Sequence, residues 1–281
     1  MTGPLISLRS DFGSRDPSAA IMRGVVLGIA PDARIVDISH EVRKFAIRDG
    51  ALLLWCALPY LPVGFHVAVV DPGVGTARLP IAVATGRGDV LVGPDNGLLV
   101  AAARKLDGIT AVRELRDPRF RLPVISTSFH GRDIFAPAAA HLATGVDIRE
   151  LGPEVDPAAL APSPLREPIV GEGELGSSVV YVDTFGNVKL AGLRSDLEAA
   201  LGPLAAGDRL RLEIAAGDGT GDLQTTSTIE TSWQSTFGDV AVGETLVYED
   251  SYRRICLAAR EADAAAKHGI VEDLEVVVRR G

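Results

Sequence analysis

Four times in the first hundred residues an apolar run stops at a polar turn: PLISL before RSDFG, ARIVDIS before His40, FHVAVV before DPGVGT, and DVLVG before PDNG. Unbroken apolar runs need cover on both faces of a sheet, whereas a strand with one wet face alternates. These runs therefore predict a mainly parallel sheet with flanking helices, an α/β fold. Between the first two runs, PSAAIMRGVVLGIAPDA sets Ile21, Val25 and Ile29 at i, i+4 and i+8, the spacing of one helix face. Asp16 before Pro17 predicts the helix N-cap, and Pro31 follows its end. A fifth unit, LPVISTSFHGRDIFAPAAAHLATG, predicts a strand ending near His130 and a helix behind it that stops at Gly145.

The grammar changes after residue 152. GPEVDPAALAPSPLREPIVGEGEL is dense in Pro, Gly and Glu and has the composition of a linker. Beyond it, SSVVYVDTFGN, DRLRLEIAAGDGTGD, DLQTTSTIETSW, ETLVYEDSY, RRICLAAR and DLEVVVRR are short strand-like runs broken by Gly and Asp turns. They predict a C-terminal antiparallel β domain, barrel-like, with DAAAKHG adding a helical turn. The expected organisation is an α/β domain over residues 1–160, a linker over 161–175 and a β domain over 176–281.

With 28 Lys+Arg against 37 Asp+Glu, the chain carries a net charge of −9, so it lacks the basic surface that nucleic acid or an anionic membrane requires. A small neutral or cationic ligand suits it better. Cys56 and Cys256 lie in apolar runs without a CxxC or HxxxH pattern, which favours packed free thiols in a reducing cytoplasm over a disulfide or a metal site. No signal-like segment or membrane-length apolar run is visible.

Ligands of open parallel sheets bind beyond the carboxyl ends of the strands. The residues that follow the expected strands are Asp11, His40, Asp71, Asp95 with Asn96, and His130, and one rim should gather them. Each has a plainer explanation. Asp11 could begin a turn, Asp16 could only cap, Asp95-Asn96-Gly97 is ordinary turn chemistry, and Asp133 could be a helix cap. His40 reads as structural. DPGVGT lacks the lysine and the spacing of a nucleotide loop.

Taken together, SDFGSRD with MRGV, DISHEV, HVAVVDPGVGTAR, GPDNGLL, FHGRDIFAPAAAHLA and VDTFGN resemble the S-adenosylmethionine hydroxide adenosyltransferase family, relatives of enzymes that form carbon–fluorine and carbon–chlorine bonds from the same substrate. The resemblance implies an N-terminal α/β domain, a C-terminal β domain and a homotrimer with sites between subunits. It implies attack of water on C5′ of S-adenosylmethionine, the substrate, giving adenosine and methionine; the sequence itself offers no convincing metal cluster, so no metal and no cofactor are expected. The family's catalytic Asp, Arg and His match Asp71, Arg78 and His130. Asp11 matches the residue at the ribose hydroxyls, and Phe45 stands where the fluorinating relatives carry Trp and would pack on the adenosyl group. Asp16, Ser18, Asp183 and Ser251 match positions near the methionine amine and carboxylate. Asn187 matches the reader of the adenine edge, with Phe185 beside it. Gly131 would let its turn approach the substrate, and Arg132 and Asp133 would hold that turn. VKLAG and DSYRR depart from the family's usual Thr-Asn and Asn-Ser-Phe-Gly patterns.

A sulfonium leaves as a neutral thioether and needs no general acid. Water, with a pKa of about 15.7, needs positioning and polarisation, which side chains can supply where no metal does. Two alternatives are a halogenase and a non-catalytic binder of S-adenosylmethionine or adenosine. The halogenating relatives carry Tyr in place of Asp71, the fluorinating ones also a longer insertion in the N-terminal domain, and a sensor has no use for a water-activating trio.

Overall fold

A computed structural model describes residues 3–217 and 223–281. The chain divides into two compact units, Met1–Pro164 and Leu165–Gly281.

The first unit is built on a six-stranded sheet. Its strands are β1 (Leu5–Ser10), β2 (Arg34–Ser39), β3 (Phe65–Val69), β4 (Pro80–Thr85), β5 (Val90–Pro94) and β6 (Ile109–Glu114), in the order β2-β1-β3-β5-β4-β6. β2, β1, β3 and β5 are parallel, whereas β4 runs antiparallel to both β5 and β6. The period of two divides the central strand between two cores. Val67 and Val69 pack with Met22 and Val26 of α1 (Ser18–Ile29) and with Ala136 to Leu142 of α4 (Ala136–Ala143). Ala68 and Val70 pack with Leu54 of α2 (Ile47–Ala57) and with Ala102 and Ala103 of α3 (Val100–Lys105). Apolar burial on both faces is what the unbroken runs require.

Three local expectations need correction. α1 buries Ala19, Met22 and Val26, with Val25 and Ile29 beside them, while Ile21 is exposed, so the apolar stripe is offset by one residue. Pro17 takes the cap position, although the Asp16 carboxylate still accepts the Ser18 N–H at 2.8 Å. The segment LPVIS before His130 is not a strand: β6 completes the sheet at Glu114, Pro123 lacks an N–H to donate, and Val124 lies exposed.

Two serine–histidine–aspartate chains brace the unit. Ser7 Oγ donates to His66 Nδ1 (2.8 Å), and His66 Nε2 donates to Asp89 (2.9 Å), which also takes Arg87. Burial would raise the Asp89 pKa, but hydrogen bonds from His66 and Arg87 outweigh it and hold the group far below its ordinary value. In the second chain Ser10 Oγ meets His40 Nδ1 (2.7 Å) and His40 Nε2 meets Asp37 (3.1 Å), so His40 serves structure.

The second unit is an antiparallel sheet. Its strands are β7 (Ile169–Val170), β8 (Glu174–Val182), β9 (Val188–Leu193), β10 (Arg209–Gly217), β11 (Leu223–Ser232), β12 (Thr245–Glu249), β13 (Arg254–Ala259) and β14 (Glu275–Arg280). Their order is β11-β10-β14-β8-β9-β13-β12, with β7 beside β8. The two ends of the sheet return to each other, because Gln234 N donates to Val247 O and Thr231 Oγ1 to Thr245 O, both at 2.8 Å, and a nearly closed barrel results. The Gly-Asp turn read between the strands that became β10 and β11, residues 218–222, lies outside the described residues. Residues 165–175, read as linker, contribute β7 and the start of β8. Helix α5 (Arg194–Leu201) was not expected, and α6 (Ala264–His268) is the short helix of DAAAKHG, ending at left-handed Gly269. Among the described residues no helix is long and apolar enough to cross a membrane.

Candidate active site

The carboxyl ends of β1, β2, β3 and β5 place Asp11, His40, Asp71 and Asp95 along one rim. A cleft of about 320 Å³ opens there, lined by Asp11, Lys44, Phe45, Asp71, His130 and Gly131 among others. Asp95 and Asn96 are spent on structure, since Asp95 accepts the Ala161 N–H (3.0 Å) and Asn96 Nδ2 donates to Val70 O (2.9 Å).

Asp71, Arg78 and His130 form one connected chain. Arg78 Nε donates to both Asp71 oxygens at 3.0 and 3.1 Å, Nη2 adds a further short contact, and Nη2 also reaches His130 Nδ1 at 2.8 Å. The Asp71 side chain is 4% exposed and that of Arg78 10%. A guanidinium can only donate, so Nδ1 must be the acceptor and the proton of the neutral ring sits on Nε2. Burial, and then the Arg78 charge, lower the His130 pKa, which keeps the ring neutral. The DPGVGT loop can carry this chain because Gly75, at φ +76°, passes Thr127 where a Cβ would lie 2.5 Å from the carbonyl oxygen.

His130 precedes a single π-helical turn, Gly131–Phe135, whose Asp133 is fully buried. Asp133 accepts the Ser126 N–H (2.7 Å) and Arg132 Nε (2.5 Å), so Arg132 and Asp133 do hold the turn. Gly131 has an internal reason to be small, because a Cβ there would meet Met22 Sδ at 3.2 Å and Phe12 Cζ at 3.3 Å. Phe45 lines the cleft at φ +64° and is 69% exposed, and its N–H is held by Asp11 at 2.9 Å. Asp16 and Ser18 bond to each other and do not line this cleft.

The remaining expected residues lie in the second unit. Asp183, Phe185, Asn187 and Ser251 line a cavity of about 920 Å³ together with Lys189 and Asp250. Asp183 accepts the N–H groups of Phe185 (2.9 Å) and Asn187 (3.0 Å) and the Asn187 side-chain amide (3.0 Å), which fixes the VDTFGN turn. Phe185 projects from it, 77% exposed. Sequence reasoning missed Phe12, Lys44 and Phe129 in the first cavity, and Lys189, Tyr248 and Asp250 in the second. Lys44 is adjacent to Phe45, the one signal that pointed to it.

The SAM hydroxide adenosyltransferase N-terminal domain matches residues 6–152 and the C-terminal domain of the same family matches residues 177–277. The chain belongs to this family. It is 42% identical over 269 residues to a Salinispora tropica protein named (R)-S-adenosyl-L-methionine hydrolase, covering 95% of this chain and 94% of that one. A fluorinase from Actinopolyspora mzabensis is more distant, 25% identical over 303 residues, with 99% and 97% covered. A solved structure of a conserved protein from Thermotoga maritima superposes with a TM-score of 0.88 at 30% identity, covering 98% of this chain and all of that one.

Proposed function

We propose that the chain is an enzyme that hydrolyses S-adenosyl-L-methionine to adenosine and L-methionine. The observation that carries this is the Asp71–Arg78–His130 chain on the wall of the first-unit cleft. With its Nδ1 accepting from Arg78, His130 can offer Nε2–H to the oxygen of a water, while Asp71 accepts one of that water's hydrogens. The water oxygen attacks C5′; the C5′–O bond forms as the C5′–S bond breaks, and the electron pair stays on sulfur as a neutral thioether. The proton passes to Asp71 and on to solvent. Such positioned acid–base help contributes typically ~10²–10⁴-fold.

Asp11 takes the ribose hydroxyls, Phe45 covers the adenosyl group, Gly131 borders it, and Asn187 with Phe185 reads adenine. Asp16, Ser18, Asp183 and Ser251 serve the methionine end. A halide in place of water would approach the Asp71 carboxylate, and two like charges 4 Å apart repel by about 4 kcal/mol at an effective dielectric near 20. Incubating the protein with each sulfonium epimer, with and without halide, and identifying the released nucleoside tests the reading. Adenosine is expected. A 5′-halogenated nucleoside, or binding without turnover, would replace this reading with one of the alternatives.

The proposed assembly is a homotrimer in a reducing cytoplasm, with no cofactor, in which one ligand is held by the first unit of one protomer and the second unit of a neighbour. Its support is the division of the expected contacts, with Asp11, Asp71 and His130 in one unit and Asp183, Asn187 and Ser251 in the other. A solution mass equal to the 29.5 kDa monomer at active concentration would reject it.

A further inference from the structure

Lys189, on β9, and Asp250, just beyond β12, form an ion pair in the wall of the second-unit cavity. Lys189 Nζ donates to Asp250 Oδ2 at 2.6 Å, and the two side chains are 10% and 3% exposed. The other Asp250 oxygen accepts the N–H groups of Tyr252 (2.8 Å) and Arg254 (2.9 Å), so the carboxylate is anchored from both ends. The Tyr252 ring lies beside the ammonium, its centroid 5.2 Å from Nζ. Burial would strip the Lys189 proton, yet the hydrogen bond to Asp250 and the carboxylate's charge do most to outweigh burial and raise the pKa, so the group stays charged.

Stability alone does not account for this pair. A buried ion pair is commonly no better for folding than apolar residues of equal volume, because desolvation of both charges offsets their attraction. What the pair does provide is a cation fixed in the wall of a cavity that also holds Asp183. An ammonium has three donors, and the structure assigns one to Asp250. A cation and a carboxylate in one cavity suit a zwitterion.

We propose that Lys189 receives the α-carboxylate of the amino-acid end of the substrate, with Asp250 holding the ammonium in position and Asp183 serving the α-ammonium. The assignment rests on S-adenosylmethionine being the substrate. It makes Lys189 the residue that separates a complete amino acid from an amine lacking its carboxylate.

The test compares kcat/KM for S-adenosylmethionine and for its decarboxylated analogue. The parent protein should prefer the carboxylate by about 10- to 100-fold, mostly through KM, the value of a charge-assisted hydrogen bond. In Lys189→Met that preference should collapse toward one, and Lys189→Arg should restore part of it. The double variant Lys189→Met/Asp250→Asn leaves no unpaired charge from this pair and keeps an acceptor for the Tyr252 and Arg254 N–H groups, and it should lose the preference too, which covers misfolding of the single variant. A parent protein indifferent to the carboxylate, or variants that slow both substrates equally, would overturn the assignment and leave hydrolysis standing. A parent protein that turns over neither substrate would defeat the hydrolase reading instead.

Discussion

Replacing Asp71 with Asn should damage both rate and stability, and the structure gives the size of each. Asp71 receives Arg78 through both carboxylate oxygens, with the side chains 4% and 10% exposed. Asn keeps one acceptor and turns an amide N–H₂ toward a group that only donates. Breaking a buried pair costs about 3–5 kcal/mol, and the retained acceptor argues for about 3. At roughly 2–4 °C per kcal/mol for a unit of this size, Tm should fall by about 6–12 °C. Turnover should fall ~10²–10⁴-fold, because the charge that accepts the water proton is gone. Adenosine release would be followed at saturating substrate, well below the lowered Tm, with the fold checked by circular dichroism. His130→Ala leaves the Asp71–Arg78 pair intact, so it should slow the reaction with much less loss of Tm. The double variant should lose little beyond the worse single one, since residues acting as a unit are not additive. A folded Asp71→Asn protein with the expected Tm loss but a near-parental rate would assign Asp71 to the loop and remove it from the chemistry.

His130 gives a pH dependence. Its folded pKa is lowered from 6.5, so its neutral form persists below pH 6.5, and the stability it contributes is lost as pH falls from 6.5 toward the folded value. The acid limb of kcat/KM should therefore lie below pH 6.5, and a limb at or above that value would contradict the Arg78 contact. Gly75→Ala should lower Tm and activity together, because φ +76° and the Thr127 carbonyl both oppose a Cβ; an unchanged Tm would refute the strain. Chelators should leave turnover intact, as among the described residues no three His, Cys, Asp or Glu side chains gather to hold a metal. Loss with EDTA that one added metal restores would reverse that expectation.

The rim was legible because β1 and β3, buried on both faces, announce their ends: where their apolar runs meet Asp11 or Asp71, the strand stops, and the half-exposed edge strand β2 ends beside them at His40. His130 was found by its motif and not by its strand. LPVIS has a strand's composition, but composition does not reveal that β6 already completes the sheet, nor that Asp133 pins this loop through Ser126. The offset of α1 by one residue follows from how the helix seats on α4 and on the π-helical turn Gly131–Phe135, which periodicity leaves open. In the second unit, Lys189 and Asp250 stand 61 residues apart and meet through the pairing of β9 and β12 with β13. Both lie in stretches, VKLAG and DSYRR, that depart from the family's usual pattern, which marked Ser251 but neither of its charged neighbours.

The fully buried chain Ser7–His66–Asp89 has the residue types and order of a serine hydrolase's nucleophile, base and orienting acid, but with the ring nitrogens exchanged: serine sits at Nδ1 and the carboxylate at Nε2, the reverse of a working triad. None of its three residues has any exposed surface, and the Ser7 hydroxyl spends its hydrogen on His66 inside the sheet. A search by distances alone would nominate it as a covalent centre, yet a serine-directed phosphonate would meet no accessible hydroxyl to attack its phosphorus. The distinction between this trio and the one at the rim is access: polar side chains that face a cleft at the strand ends give way, a few residues down the same strands, to mortar between strands.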